Sequence, residues 1–173
     1  IASNATDAVE LTKSARDLSE AMLRPEHDRE PVALEPILRQ EIEAVRGADA
    51  DASITVEGSI PAVSVLADDM LDSVFRNLLK NAVQHNDEPV PEVTVSVTAE
   101  SDTVSIRIAD NGPGIPSGMD VFGRGEKGLD SGGTGIGLHL VRTLVDRYGG
   151  DVRVAEDSPG AAFTVELDRT DAH

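Results

Sequence analysis

Cysteine and tryptophan are absent from this 173-residue chain, and aromatic residues make up only 2 % of it. Without cysteine there is no disulfide, no thiolate nucleophile and no thiolate metal site, which fits a cytoplasmic protein. With so few rings, a core has to be assembled from Val, Leu, Ile and Ala. Apolar residues reach 39 %, ordinary for a globular domain. Lysine is scarce, found only at positions 13, 80 and 127, whereas Asp and Glu number 32 against 15 Lys plus Arg, a formal charge of -17. Such a surface repels a phosphate backbone, so nucleic-acid binding is disfavoured. Acid excess with little lysine fits adaptation to concentrated salt, where self-repulsion is screened; a plain acidic domain is the alternative. No run of about 18 apolar residues and no charged-then-apolar leader occurs, so no membrane contact is expected. The length allows one globular domain with an appended element. The chain opens on Ile1 rather than Met, and is read as a piece of a longer protein.

Along the chain, Ala8, Leu11, Ala15, Leu18 and Met22 are spaced 3, 4, 3, 4, with Asp7 and Glu10 as a capping box and Pro25 as the stop. That spacing fits a coiled-coil seam and a helix packed on its own domain equally well. A short "VAL" and a helix "EPILRQEIEAVRG" follow, with Pro36 in the first turn. "SITVEGS" and "AVSVL" read as strands. A helix is predicted from near Asp68 to about Gln84. "EVTVSVTAE" and "TVSIRIAD" alternate around a two-residue "SD" link, a hairpin signature. Beyond Asp110 a Gly-rich loop runs to about Thr134, a length that is usually functional. Helix "IGLHLVRTLVDRYGG" ends at a glycine pair, and "DVRVAED" and "AAFTVEL" form a second hairpin around Pro159 and Gly160. This order of helices and antiparallel strands predicts a two-layer α+β sandwich.

Three stretches stand out chemically. In "FRNLLKNA", Asn77 and Asn81 lie four apart and share a helix face. Alone, a solvated stripe or amides capping neighbouring backbone groups explains them as well as a site does. In "DNGPGIP" a strand ends in Asp110 and is followed by Gly112 and Gly114, where backbone approaches a ligand unobstructed. A tight turn is the plain alternative. In "GGTGIGL", Gly133, Gly135 and Gly137 open a helix, where exposed amides and the helix dipole favour phosphate. Neither the P-loop GxxxxGK spacing nor a GxGxxG after a strand is present.

Taken in order, "NLLKNA", "DNGPGIP", "VFGRG" and "GTGIGLHLVRTLVDRYGG" resemble the N, G1, F and G2 boxes of the ATP-binding domain of sensor histidine kinases, over roughly residues 32 to 168. The resemblance implies a Bergerat-type α/β sandwich with a mixed, largely antiparallel sheet, preceded by a helix. It implies ATP and Mg2+ as cofactors, with Asp110 accepting from the adenine amino group and Asn81 ligating the ion. Gly112, Gly114, Ile115 and Phe122 would line the nucleotide, and Gly133, Thr134, Gly135, Ile136, Gly137 and Leu138 would hold phosphate. Arg124 and Lys127 would neutralise charge on the transferred group, a solvated loop charge being the alternative for each. Hydrolysing relatives carry Glu where this chain has Asn77; an amide is no general base, so transfer to histidine is expected, with Asn77 orienting the acceptor.

Departures from the family pattern occur at Gln84 and His85, where an aromatic and a lysine are common; His85 would stack on adenine or sit as a surface residue. Ala161 stands where relatives often have Ser or Thr, so a water-mediated adenine contact is expected to be missing. His27 reads as a linker residue, and His139 and His173 as surface and terminal residues. The expected division is 1–25 as the tail of a dimerisation helix, 26–31 as linker, 32–168 as the catalytic domain and 169–173 as tail. Expected partners are the protein's own dimerisation domain and a response regulator, the full-length protein being a homodimer. The fragment alone would not phosphorylate itself. A nucleotide-dependent binding module and an ATP-hydrolysing switch are the alternatives.

Overall fold

The computed structural model describes residues 15–23, 29–48, 52–84, 89–112, 136–155 and 160–170. Residues 15–23 are helical and are called α1. There follow β1 (Glu30–Ala33), α2 (Leu34–Ala48), β2 (Ser53–Val56), β3 (Ser64–Ala67), α3 (Leu71–Gln84), β4 (Glu92–Ala99) and β5 (Thr103–Asp110). The chain closes with α4 (Ile136–Arg147), β6 (Asp151–Ala155) and β7 (Ala162–Asp168).

Five strands form one sheet in the order β2-β4-β5-β7-β6. β2 runs parallel to β4 and every other neighbouring pair is antiparallel, the mixed arrangement that the sequence predicts. Alternation in β4 and β5 sends Val93, Val95, Val104, Ile106 and Ile108 to one face, where all are buried. Thr94, Ser96, Ser105 and Arg107 take the other face, half-buried or exposed. Helices α2, α3 and α4 pack on the apolar side and make the second layer. Ala99 pairs with Val104, and the Glu100 N–H donates to the Thr103 carbonyl at 2.8 Å, so Ser101 and Asp102 are the two-residue turn expected.

Helix α3 starts where Asp68 caps it: the Met70 N–H donates to Asp68 Oδ1 at 2.9 Å and the Leu71 N–H to the Asp68 carbonyl at 3.2 Å. Its apolar stripe, from Leu71 through Val74, Leu78 and Ala82, is buried, and the two asparagines lie half-buried beside it. Helix α4 stops with the Gly149 N–H on the Asp146 carbonyl and the Gly150 N–H on the Val145 carbonyl, Gly149 taking a φ of 76°.

Two findings depart from the expectations. β1 pairs with β3 in a separate two-stranded sheet, attached to the main one where Val65 bridges Arg169. "EPVA" opens on Glu and Pro and shows no alternation, so its pairing had no local signature. The second is the face used by α1. Leu18 and Ala21 join the core, while Met22, expected in the seam with Ala15 and Leu18, is 64 % exposed. The described turns of α1 thus pack on the domain itself; Asp7, Ala8, Glu10, Leu11 and Pro25 lie outside the described residues. No described helix is long and apolar enough to cross a membrane.

Candidate functional site

Asp110 ends β5 with the parity of Ile106 and Ile108, so it continues their helix-covered face. Main chain fixes it from three directions. Its own N–H donates to the Ala161 carbonyl at 2.9 Å, while Oδ1 accepts the N–H of Gly112 at 2.9 Å and that of Ala161 at 3.2 Å. A carboxylate held this way is an acceptor of set direction. Next to it, the Asn111 side chain accepts from the Glu92 N–H at 2.9 Å and donates to the Val90 carbonyl at 3.3 Å, tying the start of β4 to the end of β5. The chain entering β7 approaches so closely that a Cβ on Gly160 would lie 2.0 Å from the Asp110 carbonyl oxygen. Backbone cannot retreat from that contact, so glycine is required.

The helical side of the site is built on α3 and α4. Asn77 Nδ2 donates to the Ser73 carbonyl one turn back at 2.7 Å, which holds the amide in one orientation. Its Oδ1 then faces the first turn of α4, where a Cβ on Gly137 would sit 2.8 Å away. For Asn77, the capping of a neighbouring backbone group is therefore what its amide nitrogen does. Asn81 is half-buried one turn further along the same face, and Leu138 is buried at the start of α4. Arg76, adjacent to Asn77, is gripped by acids from three helices: Asp72 on α3 at 2.5 Å, Glu41 on α2 at 3.3 Å and Asp17 on α1 at 4.0 Å. The side chain of Glu41 is only 5 % exposed, so this guanidinium neutralises a buried carboxylate and anchors α3 against both preceding helices.

Of the residues singled out in the sequence, two groups are thus assembled: Asp110 with Gly112, and Asn77 with Gly137, beside Asn81 and Leu138. His27, His85, Gly114, Ile115, Phe122, Arg124, Lys127, Gly133, Thr134, Gly135 and His173 lie outside the described residues, as does the side chain of Ile136. His139, expected at the surface, is half-buried on α4. Gly160 and Ala161 were read only as a turn and a missing side chain. Their contribution is main-chain contact with Asp110, which leaves no trace in residue type except the glycine. Chemically the arrangement offers a fixed acceptor for an N–H donor, an amide oxygen suited to a hard cation, and a helix start facing a polar side chain.

A sequence model of the histidine kinase-, DNA gyrase B- and HSP90-like ATPase family matches residues 67–171, well over half of the chain. The chain belongs to this family. Within the family it is homologous to sensor histidine kinases. It is 30 % identical, over an alignment of 182 positions, to the signal transduction histidine-protein kinase BaeS of Escherichia coli, covering 96 % of this chain and 38 % of BaeS. The solved mycobacterial sensor histidine kinase MprB superposes with a TM-score of 0.74 at 27 % identity, over 83 % of this chain and 99 % of that one. Full-length ShkA, solved in complex with AMPPNP, shares the fold with a TM-score of 0.77 at 24 % identity, over 98 % of this chain and 38 % of that one. The chain spans less than half the length of the curated relatives it matches. The ATPase-family fold, with its α+β sandwich and mixed sheet, is the one the sequence predicts.

Proposed function

We propose that this chain is the ATP-binding catalytic part of a two-component sensor histidine kinase. In this reading it transfers the γ-phosphoryl of Mg·ATP to a histidine on a dimerisation domain, for onward transfer to a response regulator. The observation that supports the kinase reading over hydrolysis is Asn77, held by its hydrogen bond to the Ser73 carbonyl and facing Gly137, at the position where the resemblance gives hydrolysing relatives a Glu. An amide does not take a proton from water at neutral pH, whereas an imidazole acceptor is a nucleophile already.

Asp110 receives the adenine amino group, its direction set by Gly112 and Ala161. Gly112 and Gly114 keep the chain clear of the purine, with Ile115, Phe122 and His85 lending apolar or stacking contact. The amides of Gly135, Gly137 and Leu138 meet the phosphates at the start of α4, joined by Gly133, Thr134 and Ile136. Asn81 fits Mg2+ as a neutral oxygen donor, half-buried on the helix face it shares with Asn77; the ion would neutralise phosphate charge when bound. Asn77 orients the acceptor from its fixed position, and Arg124 and Lys127 stabilise the charge that develops in transfer. We place the domain at residues 30–170 rather than 32–168, because β1 begins at Glu30 and the Arg169 and Thr170 N–H groups bond the Asp102 and Ser64 carbonyls. Residues before it are read as the tail of a dimerisation helix and a linker, in a homodimeric, cytoplasmic kinase.

Mixing the chain with Mg·ATP and a separately supplied dimerisation domain tests this. Acid-labile phosphate on that domain is expected. Nucleotide binding without transfer would point instead to a binding module, and steady phosphate release by the chain alone to a hydrolysing switch. The acid excess is read as salt adaptation, for which the unfolding midpoint should climb as KCl is raised into the molar range; a flat response would remove that reading.

A further inference from the structure

Tyr148, the one tyrosine of the chain, is fully buried directly after α4. Its hydroxyl donates to Oδ1 of Asp68, itself 4 % exposed, at 2.5 Å. The same oxygen accepts the Met70 N–H that caps α3, so one carboxylate oxygen joins the end of α4 to the beginning of α3. At the opposite end of α4, Gly137 abuts Asn77 in the middle of α3. The two helices are therefore antiparallel and pinned at two points, about 15 Å apart at a rise of about 1.5 Å per residue. Between the pins, Leu140, Val141, Leu144 and Val145 are fully buried. Apolar packing of that kind fixes the distance between helices but is non-directional, whereas a hydrogen bond to a carboxylate fixes a point along the axis.

We infer that Tyr148 and Asp68 are a positioning pair that sets the axial register of α4 on α3, and through it the spacing of the Asn77–Gly137 contact where phosphate is held. This rests on the nucleotide reading above. Asp110 is independent of the pair, because main chain of Gly112 and Ala161, flanking β5 and β7, orients it. Losing the hydroxyl should thus loosen phosphate recognition while sparing the base.

The test is NMR titration of the chain with ATP and, separately, with adenosine. Tyr148→Phe is expected to weaken ATP roughly fivefold and adenosine less than about twofold, the size of one charge-assisted hydrogen bond acting at second hand. Asp68→Ser, which keeps a cap for Met70 but is too short for the tyrosine, should do the same and serves where Tyr148→Phe does not fold. Asp68→Asn keeps an acceptor oxygen for both contacts, without the charge, and should bind ATP more tightly than Asp68→Ser. If ATP and adenosine weaken alike, or neither changes, the inference is overturned while the nucleotide reading stands. A wild-type chain that binds neither ligand would overturn both.

Discussion

A Cβ placed on Gly160 meets a backbone carbonyl oxygen at 2.0 Å, whereas one placed on Gly137 meets the side-chain oxygen of Asn77 at 2.8 Å. In the proposed reading the two glycines serve the base end and the phosphate end of one nucleotide site. At the sheet end, Asp110 is oriented by the N–H groups of Gly112 and Ala161, main-chain donors that flank the paired strands β5 and β7. At the helix end, the contact is between a side chain and a helix start, and the helices are placed by Arg76, by Tyr148 and by apolar packing. Reading a base calls for a rigid acceptor. Holding phosphates through binding and release suits an end whose spacing depends on a few side-chain contacts.

The largest expected effect is therefore at the sheet end. Gly160→Ala should cost at least about 3 kcal/mol in urea unfolding, because the obstruction is backbone and overpacking has no side chain to displace. A loss below about 1 kcal/mol would mean the close approach is not enforced. Arg76→Ala comes next, at about 3 kcal/mol or somewhat less, since it strands the buried Glu41 carboxylate. Its amide shifts should concentrate in α1, α2 and α3 and leave Gly112 and Ala161 in place; changes spread equally over the β5 and β7 ends would dissolve the contrast between the two regions. Gly137→Ala should cost only about 1 kcal/mol, because Asn77 can turn aside at the expense of its Ser73 hydrogen bond, yet it should weaken ATP more than adenosine. Equal stability loss for the two glycine variants is the result that would break the comparison. Asn81→Asp is expected to have the smallest effect on fold, within about 0.5 kcal/mol, while shifting the metal dependence of ATP binding. An unchanged magnesium titration would take Asn81 out of the metal site.

The sheet end was largely legible in the sequence. Strict alternation in "EVTVSVTAE" and "TVSIRIAD" gave strands, register and the buried face, and so put Asp110 at a strand end. The stripe of Leu71, Val74, Leu78 and Ala82 gave α3, and the shared face of Asn77 and Asn81 followed from their spacing. What stayed hidden depends on contacts between residues far apart in the chain. Tyr148 and Asp68 are 80 positions apart and Ala161 and Asp110 are 51 apart, so neither contact has a local pattern. β1 carried too little alternation to reveal its pairing with β3. The face of α1 was decided by the domain it packs on, which selected Leu18 and Ala21 over Met22 because an isolated heptad-like spacing specifies no partner.

The most direct measurement is calorimetric titration of ATP into the wild-type chain and into Asp110→Asn, each first verified as folded by circular dichroism. The wild-type chain should bind ATP, and Asp110→Asn should bind at least about tenfold more weakly, the loss expected when a charged acceptor of set direction is neutralised. Equal affinity in the two, or no binding by the wild-type chain, would contradict the assignment of Asp110 and of the nucleotide site built around it.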